Sequence, residues 1–340
     1  MKRLFIIVIN LLLVINLFSQ YGEIKWLTMQ EALKLQDSIP KTILIDMYTN
    51  WCGWCKKMDA ETFHNPDIAA YVNQYFYPVK FNAECFDTII YKGKTYTNSG
   101  SGNRSTHDLA IELLYGRLSY PTIVYIDSDG KVNPVPGYMG VNDIEAILVY
   151  FSENINKVSD YASYLQDFNN TFHPETTATT NGTINWVTLD DAINKQKENS
   201  KKLLIYIASD FLQTSKIMLA SVLRNPVISD YINKNFYPVK INYDCPDTIN
   251  FHGYKFINEQ KIPGYPNQFA ISLLQPDGKI PAMVIFDENL NFMYAQKGYG
   301  PAAFLERLLT YFNEGFFKNG VDWQKFNEDF KSNLQETEKK

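Results

Sequence analysis

The chain has 340 residues, 45% of them hydrophobic and 20% charged, with a formal net charge of -5 at pH 7. This length predicts two domains, each able to bury its own apolar core, and the composition is typical of a soluble globular protein. The negative net charge offers no basic surface for DNA or RNA, so we expect no nucleic-acid partner.

The N-terminus has the pattern of a secretory signal peptide, which we assign to residues 1–20. Met1-Lys2-Arg3 supplies a charged start, an apolar run follows from Leu4 to Phe18, and Ser19-Gln20 ends the pattern. The run is shorter than the ~20 apolar residues that usually span a bilayer. We therefore expect an exported protein, either periplasmic or secreted, with an uncleaved N-terminal anchor as the alternative.

Strand and helix patterns alternate after this segment. Thr28-x-x-Glu31 is a capping box and predicts a short helix to about Leu35. A buried strand is predicted over 42–48, followed by a helix after the Cys52–Cys55 pair to about 63, a helix capped by Asn65-Pro66 and a strand over 77–82. A long loop is predicted over 86–105, followed by a helix over 106–115 and a strand over 122–126. The last elements are a turn at 128–130 with another strand, and a helix that Asn142-x-x-Glu145 caps and that runs to about 151. This order predicts a mixed sheet covered by helices on both faces.

The chain contains an internal duplication with an offset of 160 residues. The segment FYPVK at 76–80 recurs at 236–240, and Pro121 recurs as Pro281. Both copies must therefore share one α/β fold, a central mixed sheet flanked by helices. We assign the first domain to 21–168, an Asn- and Thr-rich linker to 169–183, and the second domain to 184–340, which ends in a helix and a charged tail from about residue 322.

Cys52 and Cys55 form a C-x-x-C pair at the predicted start of a helix. Backbone N–H groups and the helix dipole favour an anion there, so the pKa of the Cys52 thiol should fall. Cys52 would attack a substrate disulfide, and Cys55 would resolve the mixed disulfide. The same spacing suits half of a zinc site, but none of the four histidines has a paired spacing, so we expect no metal.

The segments around this pair resemble the thioredoxin family. Residues 43–56, which read ILIDMYTNWCGWCK, resemble the family's strand, active-site loop and helix start. Residues 80–84 resemble its next strand, and residues 115–122 resemble the turn that carries its cis-proline. The resemblance spans roughly 27–151 and implies two tandem thioredoxin-like domains, a thiol-disulfide oxidoreductase activity, and no cofactor beyond a redox-active Cys52–Cys55 disulfide.

The resemblance implies a role for each matching residue. Asp46 matches the buried acid beneath the active site, with a pKa raised by desolvation, and it would accept the proton of Cys55. A solvated or capped aspartate at a strand end is the alternative. Trp51 would shield and orient the pair, and a cis Pro121 would present the backbone of Tyr120 to a substrate, with core packing and an ordinary turn as the alternatives. The other residues that we assign to support of the active site are Gly53, Trp54, Lys56 and Tyr120.

Three features depart from the family pattern. Trp54 stands where the best-known members have proline or histidine, so the redox potential is not implied. The loop over 86–105 is longer than a minimal thioredoxin needs, which suggests an extra surface. Tyr120 replaces the usual aliphatic residue before the cis-proline, so the substrate preference is not implied either.

The second copy keeps the fold pattern and loses the chemistry. At the same offset its residues are Phe211 for Trp51, Leu212 for Cys52, Ser215 for Cys55 and Tyr206 for Asp46. We expect a redox-inert domain that serves packing, partner binding or dimerisation. Cys85 and Cys245 are equivalent to each other and are interpreted as free thiols, with a redox or interdomain disulfide as the alternative.

The leading functional hypothesis is an exported reductase or isomerase of protein disulfides. Its expected partners are exported proteins with disulfides or thiols, and a membrane-embedded electron donor that keeps the pair reduced. An oxidase that delivers disulfides is the alternative enzyme. A tandem binding module with a structural Cys52–Cys55 disulfide is the non-enzymatic alternative, and solvent access of Cys52 would distinguish it.

Overall fold

The computed structural model describes residues 22–102, 104–174, 182–276 and 278–334. The predicted signal peptide lies outside these ranges. Within them, no helix has both the length and the apolar character that crossing a bilayer requires. The chain divides into two compact units, Met1–Ser152 and Glu153–Lys340.

The first unit is built on a four-stranded mixed sheet. Its elements are α1 (Met29–Ser38), β1 (Ile43–Tyr48), α2 (Gly53–Met58) continued by a π-helical turn (Asp59–Phe63), α3 (Pro66–Tyr75), β2 (Tyr77–Asn82), β3 (Ile89–Tyr91), β4 (Lys94–Tyr96), α4 (Asp108–Leu113), β5 (Thr122–Ile126), β6 (Val132–Pro136) and α5 (Val141–Ser152). The sheet order is β2-β1-β5-β6, with β1 parallel to β2 and the other neighbours antiparallel. The predicted mixed sheet is confirmed.

Strand β1 lies in the middle of this sheet and is covered on both faces. Ile43, Ile45 and Met47 belong to one buried core cluster, as expected for alternate residues on one face. Leu44 and Asp46 alternate with them and are also buried. Burial on both faces explains the unbroken apolar run that the sequence shows here, and it makes the carboxyl of Asp46 an exception within it.

Two predicted helix starts are confirmed in detail. Thr28 and Glu31 make both hydrogen bonds of the capping box, and α1 then continues to Ser38, beyond the predicted end. The Asn65 side chain accepts from the backbone N–H groups of Asp67 and Ile68 at the start of α3. These caps satisfy donors that a helix start would otherwise leave without partners.

The predicted cap of α5 is wrong. The helix begins at Val141, so Asn142 lies within its first turn rather than before it. Asp143, and not Glu145, reaches back to accept a hydrogen bond from the Gly140 backbone N–H at 3.2 Å. The residue before the helix is Gly140 instead of Asn142, and the reaching side chain moves by the same two residues, from Glu145 to Asp143.

The predicted loop over 86–105 contains a hairpin that the prediction missed. Strands β3 and β4 pair antiparallel, and Lys92 and Gly93 form the turn with φ of 50° and 74°. A two-residue turn with both φ values positive fits the right-handed twist of a hairpin. Ile89, Tyr91 and Tyr96 bury their side chains against the core, which anchors the hairpin.

The second unit repeats this architecture, which confirms the shared α/β fold. Its elements are a 3₁₀ turn (Ile155–Lys157), α6 (Tyr161–Phe172), α7 (Leu189–Glu198), β7 (Lys202–Ala208), α8 (Gln213–Ala220), a 3₁₀ turn (Val222–Arg224), α9 (Pro226–Asn235), β8 (Phe236–Asn242), β9 (Ile249–Phe251), β10 (Tyr254–Phe256), α10 (Gln268–Leu274), β11 (Ala282–Phe286), β12 (Phe292–Lys297), α11 (Ala302–Asn313) and α12 (Trp323–Asp329). The sheet order β8-β7-β11-β12 matches that of the first unit, strand for strand.

The division between the units differs from the predicted linker at 169–183. Residues 169–172 are the last turn of α6, and residues 175–181 lie outside the described ranges. Tyr164 and Phe168 bury one face of α6, and Asp167 accepts a hydrogen bond from the Ser221 hydroxyl at 2.6 Å. These contacts make α6 part of the second unit, although the sequence after it resembles a linker.

Candidate active site

Cys52 and Cys55 are joined by a disulfide, with a Cα–Cα distance of 5.3 Å. Cys52 is the N-cap residue of α2, and its sulfur accepts a hydrogen bond from the Cys55 backbone N–H at 3.0 Å. A donor aimed at the sulfur at a helix start favours a negative charge there once the disulfide is reduced. The fold thus places Cys52 where a thiolate is stabilised.

The two cysteines of the disulfide are buried, whereas the two tryptophans beside them in the chain are exposed. Cys52 is 5% exposed and Cys55 is 6% exposed, whereas Trp51 is 51% and Trp54 is 58% exposed. A partner therefore meets two indole rings before it meets sulfur. Two exposed tryptophans on one short segment form an apolar surface of the kind that recognises other proteins.

Asp46 lies on β1 with its carboxyl 3.9 Å from the Lys80 ammonium. The two residues are partners in the β1–β2 register, so they share one face of the sheet. Lys80 also forms an ion pair with Asp59, which follows Cys55 by one helical turn. Burial raises the pKa of Asp46 to about 7, the Lys80 charge opposes that rise, and the Asp59 charge adds to it. At neutral pH such a carboxyl can both release and accept a proton.

The second unit shows where a side chain at this strand position points. Tyr206 replaces Asp46, and its hydroxyl donates to the backbone carbonyl of Ser215 at 3.1 Å. Ser215 occupies the position of Cys55. The two units share the same strand register, with Asp46 opposite Lys80 and Tyr206 opposite Lys240, so Asp46 occupies the strand position from which Tyr206 reaches the residue equivalent to Cys55.

Trp51 links the redox loop to two other segments. Its indole Nε1–H donates to a Glu84 carboxylate oxygen at 2.8 Å, and its ring meets the Tyr120 ring edge-to-face at 6.3 Å. The Tyr120–Pro121 peptide bond is cis, and Pro121 is buried. The structure therefore brings the predicted turn residues beside the residue that precedes Cys52.

Trp54 belongs to a second aromatic group on the other side of the loop. Its ring centroid is 5.3 Å from that of Tyr138, and the Lys57 ammonium lies 5.2 Å from both rings. The Tyr138 hydroxyl donates to Glu61 at 2.8 Å, and Lys57 pairs with the same carboxylate at 3.8 Å. Trp54 is thereby held without being covered, since more than half of it faces solvent.

The two remaining predicted residues have less defined roles. Gly53 begins α2, and a Cβ atom at this position would meet no other atom within 4 Å. The glycine is therefore not required by the fold of the chain itself. Lys56 is exposed on the same helix and adds positive charge beside the pair.

In the equivalent loop of the second unit, a glutamate side chain accepts the hydrogen bonds of the helix start. Glu153 accepts hydrogen bonds from the backbone N–H groups of Gln213 and Thr214, both at 2.9 Å, and from the Thr214 hydroxyl. These amides begin α8, directly after Leu212, which replaces Cys52. Burial raises the pKa of Glu153, and the three donors oppose that rise. A buried carboxyl group thus occupies the helix start that supports a thiolate in the first unit.

The other two cysteines take no part in this arrangement. Cys85 and Cys245 are unpaired thiols, each only partly buried. Burial raises the pKa of the Cys85 thiol, so it is a weaker nucleophile than an ordinary cysteine. Over the described ranges there is no group of three or more His, Cys, Asp and Glu side chains arranged to hold a metal.

Sequence reasoning assigned no role to several residues that shape the site. Asp59 could have been found, because it lies four residues after Cys55 on the same helix. Lys80 could have been found from the strand pairing once β1 and β2 were known to be parallel. The contact of Glu84 with Trp51 depends on the path of the chain after β2, and no local sequence pattern predicts this contact.

The comparisons with known proteins agree with this geometry. Residues 29–152 match the family model of the thioredoxin-like domain. The thiol:disulfide interchange protein DsbD of Vibrio vulnificus (strain CMCP6) is 27% identical over 134 residues, which cover 39% of this chain and 18% of that protein. The chain therefore matches less than a fifth of the length of this relative.

Two solved structures are similar to part of the chain. The C-terminal domain of Neisseria meningitidis DsbD, in its reduced form, is 19% identical with a TM-score of 0.26, covering 36% of this chain and 93% of that one. The disulphide isomerase of Xylella fastidiosa is 16% identical with a TM-score of 0.27, covering 38% of this chain and 97% of that one. With the family match over residues 29–152, the first unit of this chain is a thioredoxin-like domain.

Proposed function

We propose that this protein is an exported thiol-disulfide oxidoreductase that reduces or isomerises disulfides of other exported proteins. The observation that carries the proposal is the Cys52–Cys55 disulfide at a helix start, above a strand that holds a buried carboxyl with a pKa of about 7. The match to a thiol:disulfide interchange protein supports the same chemistry. Export rests on the N-terminal sequence pattern.

The exchange proceeds in two balanced steps. The Cys52 thiolate attacks one sulfur of a partner disulfide, forming a mixed disulfide and releasing the other partner sulfur as a thiolate. Cys55 then gives its proton to the Asp46 carboxylate and attacks the Cys52 sulfur, which releases the second partner sulfur. The partner gains two electrons, and the Cys52–Cys55 disulfide forms.

A further cycle needs a dithiol donor that returns two electrons to the pair. In an exported protein that donor would be another protein, and we propose a membrane-embedded reductase for this role. Running the same steps in reverse would deliver a disulfide, so direction is set by the donor and by the redox potential. The buried acid assists this exchange in either direction, because it accepts the proton of Cys55 when that thiol attacks and returns it in the reverse step.

The test is reduction of insulin disulfides by the mature protein with dithiothreitol as electron source. We expect catalysis by the wild type, loss of catalysis in Cys52→Ser, and wild-type catalysis in Cys85→Ser, a matched cysteine variant outside the pair. Catalysis by Cys52→Ser equal to the wild type would remove the proposal.

A second candidate function follows from the low exposure of Cys52. With 5% of this residue exposed, the disulfide could be a structural brace in a binding module rather than a reactive group. That candidate predicts that dithiothreitol reduces the pair slowly and that no insulin reduction occurs. The first candidate predicts rapid reduction of the pair, followed by turnover.

A further inference from the structure

The long loop between β2 and α4 carries an arginine that reaches the redox site. The guanidinium of Arg104 lies 5.0 Å from the centroid of the Trp51 ring and is exposed to solvent. Trp51 directly precedes Cys52, and its indole N–H donates to the Glu84 carboxylate. A stacked guanidinium keeps its in-plane N–H groups free to donate.

The base of the loop, next to Arg104, is held by a side chain. The Asn98 amide Nδ2 donates to the carbonyl of Cys85 at 3.1 Å and to the carbonyl of Ser105 at 2.8 Å. These two bonds tie the end of the loop to its beginning. Arg104 is the residue immediately before the pinned position 105.

The second unit keeps the pin and lacks the arginine. Asn258 is equivalent to Asn98, and its amide donates to the carbonyls of Asp244 and Tyr265 at 3.0 and 2.7 Å. The residue equivalent to Arg104 is Gly264, whose backbone N–H donates to the Asp244 carboxylate at 2.7 Å. In this unit the acid that corresponds to Glu84 therefore holds the loop backbone.

The comparison of the two units separates the structural role of the loop from that of the arginine. The redox-inert copy builds the same pinned loop without an arginine and with Phe211 in place of Trp51. The arginine–indole contact is thus dispensable for the loop and accompanies the reactive cysteines.

We propose that Arg104 determines partner specificity, favouring partners that carry a carboxylate beside the reacting cysteine. Trp51 is next to Cys52 in the chain, so a segment whose sulfur bonds to Cys52 would lie close to Trp51 and to the guanidinium at its ring. The fork of donors fits a carboxylate. The Glu84 carboxylate accepts the indole N–H of the same tryptophan at 2.8 Å. The inference rests on the proposed exchange activity.

The experiment uses two peptides that each contain one disulfide and differ only in the residue beside its cysteines. That residue is aspartate in one peptide and lysine in the other. The kcat/KM for their reduction is measured for the wild type, Arg104→Gln and Arg104→Lys, with Arg224→Gln of the second unit as a matched control. We expect the wild type to prefer the aspartate peptide, and Arg104→Gln to lower that preference about three-fold, the size of an exposed ion pair, through KM.

Two further measurements separate the effect of the positive charge of Arg104 from that of its guanidinium shape. Arg104→Lys should retain part of the preference, and about 0.5 M salt should reduce the wild-type preference toward that of Arg104→Gln. Reduction of both peptides with the same preference in wild type and Arg104→Gln would overturn the inference and leave the exchange activity standing. Absence of reduction of either peptide by the wild type would instead overturn the proposed function, and this inference with it.

Discussion

Replacing Asp46 with asparagine tests whether the buried carboxyl destabilises the first unit when it ionises. Burial and the Asp59 charge, against the opposing Lys80 charge, raise the pKa of Asp46 from 3.8 to about 7. A rise of this size corresponds to about 4 kcal/mol of differential stability between the neutral and ionised forms. The pKa of Asp46 is higher in the folded protein than in the unfolded protein. The stability of the folded wild type is therefore fully present below about pH 4, and about 4 kcal/mol of it is lost as the pH rises through about 7.

The expected result is a pH-dependent gain in stability. Asp46→Asn should match the wild type near pH 4 and exceed it by up to about 4 kcal/mol in free energy of unfolding at pH 8. Guanidinium unfolding of the oxidised proteins at several pH values measures the difference. Asp127→Asn is the matched control, because Asp127 is also buried but accepts hydrogen bonds from the turn at Asp129 and Lys131.

The same variant tests the proton transfer. Without the carboxylate, release of the partner by Cys55 should be slower near neutral pH, and the rise of the rate through about pH 7 should disappear. A stability difference that does not vary with pH would refute the raised pKa. An unchanged rate and pH profile of disulfide exchange would refute the proton-accepting role and leave Asp46 as a polar strand residue.

Three further predictions concern the second unit and the loop. Leu212→Cys with Ser215→Cys, in a chain whose own redox pair is changed to serine, should show no insulin reduction, because the Glu153 carboxylate opposes a thiolate there. Glu153→Ala should lower the free energy of unfolding of the second unit by about 3 kcal/mol in urea titrations, since it leaves buried donors without partners. His107 caps α4 and donates to the loop backbone, and Asn267 makes the same two kinds of bond in the second unit. In thermal unfolding, His107→Asn should therefore lower the free energy of unfolding only slightly, whereas His107→Leu should lower it by about 2 kcal/mol.

Much of the fold could be predicted because its signals are local or repeated. Strand β2 was predicted with its observed bounds, and the caps at Thr28 and Asn65 are made by side chains within four residues of their acceptors or donors. The duplication then carried the same fold to the second copy. The β3–β4 hairpin was missed because the glycine and polar residues near Lys92 are typical of a loop. The alternation of buried residues in the two strands is short, so it gave only a weak strand pattern.

The limits of the sequence are clearest for long-range electrostatics. The redox pair is visible as a spacing, but the charge that faces Asp46 comes from Lys80 on the neighbouring strand, which no local pattern indicates. The carboxyl group that accepts the hydrogen bonds of the degenerate loop comes from Glu153, 60 residues before Gln213 in the chain. Such pairings depend on the packed fold, where burial decides their strength.

The central claim is that Cys52 attacks a partner disulfide and Cys55 releases the product. The most direct measurement is mass spectrometry of Cys55→Ser protein after reaction with an oxidised model protein such as insulin. The account predicts a mixed disulfide on the Cys52 peptide that persists until thiol is added, and no such adduct in the variant lacking both cysteines. Adducts no more frequent in Cys55→Ser than in that double variant would contradict it.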